Sequence, residues 1–161
     1  MPKNHSPLRS ETLGTLDPRR LLLVVEDSDE DFEALVRTFK KLGTIPQIQR
    51  LTDGDEALDY LEQLKADSRP AGSVPLYPYV ILLDLNLPGT DGREVLEVIK
   101  QDSLLKQIPV VIFSSSMSQR DVQNCYTLGA NSYLIKPMGM SQLLETIRLF
   151  LDYWFRWVVI A

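Results

Sequence analysis

The chain has 161 residues, 44% of them hydrophobic, enough for one globular domain with short extensions. Its formal net charge of -5 argues against general nucleic-acid binding, which calls for a basic face. The single cysteine, Cys125, excludes an internal disulfide and any multi-cysteine metal centre.

Residues 1–19 are polar, with several Pro, Ser and Thr and no apolar core of a secretory signal, so they are predicted as a flexible arm. The sole histidine, His5, falls there without a second histidine to make a metal or catalytic pair. No stretch reaches the roughly 20 apolar residues of a membrane span, so no membrane insertion and a cytoplasmic location are predicted.

From Arg20 onward, strand and helix patterns alternate. Leu21 to Val25 reads as a strand buried on both faces and runs into an acidic segment, Glu26 to Asp31. Phe32, Leu35, Val36 and Phe39 recur at helical spacing, with Gly43 as a stop. A second strand fits Pro46 to Leu51, and Thr52-Asp53-Gly54 turns into a helix carrying Ala57, Leu58, Leu61 and Leu64. Asp67 to Pro78 is a long loop punctuated by Pro and Gly. Val80 to Leu83 is a third buried strand, ended by Asp84 and followed by Leu85-Asn86-Leu87-Pro88-Gly89 and a helix with Val95, Leu96 and Ile99. Ile108 to Phe113 is a fourth strand leading into Ser114. A helix from about Gln119 to Leu128 carries Cys125 on its core face, and Gly129 stops it. Tyr133 to Ile135 is a short fifth strand before Lys136-Pro137. Ser141 is predicted to cap the last helix.

Five strand-helix pairs imply a parallel sheet with helices on both faces. In such a fold the strand ends share one edge, which gathers Glu26, Asp27, Asp84, Ser114 and Lys136. Taken singly these read as helix caps, a strand end and a surface lysine. Together, crowded carboxylates call for a cation, and an all-oxygen set suits Mg²⁺. A lysine and a serine hydroxyl can hold phosphate oxygens, and Asp84 is then placed to attack phosphorus.

The segments LLLVVEDSDED, VILLDLNLPGTDG, IPVVIFSSS and NSYLIKP, in that order, resemble the receiver domains of two-component response regulators over roughly Leu21 to Phe150. The resemblance implies the flavodoxin-like doubly wound α/β fold with strand order 2-1-3-4-5. It implies Asp84 as phosphoacceptor and a Mg²⁺ site made by Asp27, Asp84 and the Asn86 carbonyl, with Glu26 acting mostly through water. It further implies Ser114 and Tyr133 as switch residues, Lys136 as the phosphate-binding lysine, and a cis bond between Lys136 and Pro137. The phosphoryl donor would be a sensor histidine kinase. The long loop, the LLDLNLPGTDGREVLEVIK segment and the terminal YWF resemble a subgroup paired with phytochrome-type kinases.

The receiver is predicted over residues 20–150, with 151–161 as an aromatic extension of the last helix and no DNA-binding output domain after it. Leu143, Ile147, Phe150 and Trp154 fit one core-facing stripe. The aromatics of this end exceed what that stripe buries, so Phe150, Tyr153, Trp154, Phe155 and Trp157 are predicted as a homodimer interface. Two other readings stand beside the phosphoacceptor, which is not a turnover enzyme. One is a phosphorylation-independent pseudo-receiver. The other is an aspartyl-phosphate phosphatase, which needs an acid two residues after its nucleophile where this chain has Asn86.

Overall fold

The computed structural model describes residues 20–66 and 77–160. The predicted arm with His5, the loop from Asp67 to Leu76 and the final Ala161 lie outside the described residues. Five strands, β1 (Leu21–Val25), β2 (Gln47–Leu51), β3 (Val80–Leu83), β4 (Val110–Ser114) and β5 (Ser132–Ile135), form one parallel sheet in the order 2-1-3-4-5. The helices are α1 (Asp29–Lys41), α2 (Gly54–Ala66), α3 (Gly92–Gln101), α4 (Gln119–Thr127) and α5 (Met140–Leu151).

β1, β3 and β4 are buried along their whole length, which is why their sequences are apolar on consecutive positions. Alternate residues serve two cores. Leu23, Val25, Ile81, Leu83 and Ile112 pack with Ala57, Leu61, Leu96, Ile99 and Cys125 of α2, α3 and α4. Leu22, Val24, Leu82 and Val111 pack with Leu35, Phe39 and Ile147 of α1 and α5. Val25 pairs with both Leu51 and Leu83, so Glu26 and Asp84 leave neighbouring strands side by side.

β4 begins at Val110 and not at Ile108, because Pro109 has no N–H for the ladder. Its carbonyl still accepts from Ile81 N–H at 2.9 Å. α5 likewise starts before Ser141, at Met140, with Gly139 in an extended conformation as its cap.

The last helix does not run on as a simple exposed extension. After Leu151 the backbone passes into a π-helical segment, Asp152–Trp157. Trp154 and Phe155 are buried there along with Phe150 and Leu151 of α5. Phe155 packs against Tyr79 and Phe150, with ring centroids 5.5 and 6.2 Å apart. Its carbonyl accepts from Arg20 Nη1 at 2.6 Å, and Tyr79 O–H donates to the Val158 carbonyl at 3.1 Å. The core-facing stripe with Phe150 and Trp154 is as expected, while their place, and that of Phe155, in the predicted interface is corrected: all three belong to the core. The apolar stripe is wider than expected because Arg20 and Tyr79 receive Phe155. Tyr153 and Trp157 remain 56% and 68% exposed.

Among the described residues no peptide bond is cis, so Lys136–Pro137 is trans, a second correction. Trans is the lower-energy isomer of an X–Pro bond by about 0.5–1 kcal/mol. Lys136 is held in this arrangement at both ends, by its N–H on the Ser114 carbonyl at 2.8 Å and by its ammonium on carboxylates. No helix of the described residues is long and apolar enough to cross a membrane.

Candidate functional site

At the carboxyl edge of the sheet, the Lys136 ammonium donates to Glu26 Oε2 at 2.6 Å, Asp31 Oδ2 at 2.7 Å and Asp84 Oδ2 at 3.0 Å. Glu26 and Asp84 are buried; Asp27 is exposed. Carboxylate oxygens of Glu26, Asp27 and Asp84 all lie within 4.8 Å of one another. Burial pushes the Glu26 carboxyl above the usual carboxylate range, against the opposing pull of Lys136. Burial disfavours the charged Lys136 ammonium too, but the bonds to Asp31 and Glu26 and the charge of Asp84 outweigh it and hold its pKa raised.

The first two acids are set by the β1–α1 connection. Glu26 N–H donates to the Leu51 carbonyl at 3.0 Å, continuing the ladder one residue past β1. Ser28 caps α1, accepting from Asp31 N–H at 3.2 Å, while its own N–H donates to Glu26 Oε1 at 3.0 Å. Arg50 of β2 donates to the carbonyls of Glu26 and Asp27 at 3.1 and 3.3 Å.

Asp84 is fixed by its N–H on the Val25 carbonyl at 3.0 Å and by the loop that follows it. The exposed Asn86 donates its backbone N–H to Asp84 Oδ1 at 3.4 Å. Gly92 opens α3 directly against the Asp84 carbonyl and the Leu85 backbone, an approach that leaves no space for a Cβ. Pro88 accepts from Gly54 N–H at 3.2 Å, and Thr90 O–H donates to Asp55, so the loop is tied to the start of α2.

Ser114 is fully buried at the end of β4, and its hydroxyl accepts from Ser116 N–H at 3.2 Å. Tyr133 is half-buried and donates its O–H to the Ser116 carbonyl at 2.9 Å. Ser116 Oγ donates to Asp121 Oδ2 at 2.6 Å, and Asp121 pairs with Arg93 Nη2 at 2.8 Å. Arg93 also contacts Asp91, the cap of α3. The Ser116 and Arg93 bonds hold the Asp121 carboxyl below the usual range.

The structure thus brings together Glu26, Asp27, Asp84 and Lys136, with Ser114 and Tyr133 in one hydrogen-bonded loop beside them. Sequence reasoning missed Asp31, Arg50 and the Arg93–Asp121 pair. Asp31 had a usable signal: the third residue after a serine cap leans back toward the helix start, over the strand ends. Arg50 and Arg93 had none, because their partners are set by sheet register and loop packing.

Four carboxylates, those of Glu26, Asp27, Asp31 and Asp84, against one ammonium leave the pocket negative, and its hard oxygen donors are of the kind that hold a divalent cation. The residues present therefore fit an acidic metal site.

The pattern of the response regulator receiver domain matches residues 22–148. The chain is 39% identical over 137 residues to the probable methanogenesis regulatory protein FilR2 of Methanothrix harundinacea, covering 85% of this chain and 84% of that one. It is 38% identical over 146 residues to the response regulator Rcp1 of Synechocystis, covering 89% and 95%. The Mn²⁺-bound crystal structure of Rcp1 superposes with a TM-score of 0.75 over 88% of this chain and 99% of that one, at 35% identity. The phosphorylated cyanobacterial phytochrome response regulator RcpA superposes with a TM-score of 0.76 at 34% identity, covering 88% and 97%. The chain belongs to the response regulator receiver domain family, phosphoacceptors of two-component signalling served by histidine kinases and not turnover enzymes.

Proposed function

We propose that Asp84 is the phosphoacceptor, that Mg²⁺ is held by Asp27, Asp84 and the Asn86 carbonyl with Glu26 beside it, and that the donor is a phosphohistidine on a phytochrome-type sensor kinase in the cytoplasm. The observation that carries this reading is the Lys136 ammonium 3.0 Å from the buried Asp84 carboxylate, beside two further acids. An Asp84 oxygen forms the new bond to phosphorus as the bond to the donor histidine nitrogen breaks. Lys136, already desolvated, pairs with the charge that builds on the transferring oxygens. When bound, the cation supplies further neutralisation of those oxygens.

The phosphoryl group brings about -1.5 to -2 charges and three acceptor oxygens to a pocket where Lys136 now serves carboxylates. Ser114 gives up the bond it accepts from Ser116 N–H and turns its hydroxyl to donate to one of those oxygens. Tyr133, tied to the Ser116 carbonyl, moves inward with that loop, and the face of α4, β5 and α5 changes. A cleft of about 500 Å³ on that side is lined by Asn131, Leu134, Thr146, Leu149, Tyr153 and Trp154. With Tyr153 of its lining 56% exposed, it suits self-association of two copies. The phytochrome connection is supported by the likeness to the cyanobacterial phytochrome response regulator RcpA.

Acetyl phosphate tests the acceptor. Intact-mass analysis should find one phosphoryl group added in the presence of Mg²⁺ and none in EDTA. Equal addition with and without the cation would count against the site.

A further inference from the structure

Arg50 is a partly buried arginine on the edge strand β2, and its guanidinium spends its donors on the backbone of the acidic loop. Nε donates to the Glu26 carbonyl at 3.1 Å and Nη2 to the Asp27 carbonyl at 3.3 Å. Nη1 pairs with Asp29 Oδ1 at 2.8 Å, and the guanidinium lies over the Phe32 ring, 4.5 Å from its centroid. One planar fork therefore spans the turn from β1 into α1.

The two carbonyls it grips belong to the peptide units on either side of Asp27. Fixing both planes fixes the direction in which Asp27 leaves the backbone. That matters because the Asp27 carboxylate is exposed and, among the described residues, takes no hydrogen bond or ion pair of its own. Glu26, by contrast, is also oriented by Ser28 and Lys136. Arg50 donates to no carboxylate of Glu26, Asp27 or Asp84, so it orients Asp27 without occupying an oxygen that a cation would take.

We propose that Arg50 is a positioning residue for the cation site: it preorganises Asp27 through the backbone. The inference rests on the proposed cation site. Its sign separates it from simple electrostatics. A positive charge beside a cation site repels the cation, so an Arg50 acting only as a charge would weaken binding and its removal would tighten it. Partners that orient ligands are worth about 10–100-fold in metal affinity, so Arg50→Met should bind about 10-fold more weakly.

The test titrates the full chain with MnCl2, reading free Mn²⁺ by electron paramagnetic resonance, and with MgCl2 by calorimetry. Arg50→Met removes the fork and keeps an apolar stem over Phe32. Arg50→Lys keeps the charge but cannot hold both carbonyls, and it also serves if the methionine variant does not fold. Weaker binding by both variants, with cation-free urea midpoints that do not account for it, supports the proposal. Wild-type affinity in Arg50→Lys, or tighter binding in Arg50→Met, overturns it. A wild-type chain that takes neither cation overturns the cation site itself, and the inference with it.

Discussion

Lys136 Nζ lies 3.0 Å from Asp84 Oδ2, joining the ends of β5 and β3 across the intervening β4. The same ammonium also serves Glu26 and Asp31, so one positive charge holds three negative ones. Two of those acids, Glu26 and Asp84, are buried. The pocket is stable enough to form, yet short of positive charge.

Lys136→Met should therefore destabilise the fold in EDTA by about 3 kcal/mol, since breaking a buried pair strands its partners. Added MgCl2 should recover part of that loss, because a divalent cation replaces the missing charge. Differential scanning calorimetry with and without Mg²⁺ reads both. An equal loss in the two buffers would mean that the carboxylates do not share a cation.

The two tryptophans of the C-terminal segment should behave oppositely. Trp154 is buried in the core beneath α5, so Trp154→Ala should cost about 3–5 kcal/mol in urea unfolding. Trp157 is 68% exposed, so Trp157→Ala should change stability by less than about 0.5 kcal/mol. If the exposed aromatics serve self-association, light scattering should find Trp157→Ala shifted toward monomer at the same concentration.

Asp102 gives a pH signature remote from the site. Lys65 Nζ at 2.7 Å, with the Leu105 and Leu104 amides at 2.9 and 2.8 Å, lowers its carboxyl from 3.8 to about 2. A carboxyl depressed by folding stabilises the native state above its unfolded pKa, and that contribution fades as pH falls through the folded one. The stability difference between wild type and Asp102→Asn should be constant above about pH 5 and shrink between pH 4 and 2. Urea midpoints across that range check it. A difference that grows on acidification would reverse the assignment.

The strand ends were legible because a strand buried on both faces writes itself as an apolar run, and the residue after it falls on the carboxyl edge. That placed Glu26, Asp84 and Ser114 at the edge without contacts; Lys136 follows the half-buried β5 and was placed by the alternation of strands and helices. What the apolar pattern does not encode is which long side chain reaches across the edge. Asp31 read as one acid among several before a helix, and Arg50 fell within the second strand with nothing to single it out. Phe155 read as surplus because the spacing along one helix does not reveal that Arg20 and Tyr79 shelter it. The Lys136–Pro137 bond was expected cis from resemblance alone, and no local property of the two residues demands it.

Phosphotransfer from a panel of autophosphorylated histidine kinases, scored in parallel on wild type and Asp84→Asn, tests the central claim most directly. The account predicts that at least one kinase labels the wild-type chain in Mg²⁺ and that the same kinase leaves Asp84→Asn unlabelled while its fold is intact. Equal labelling of the two proteins would contradict it.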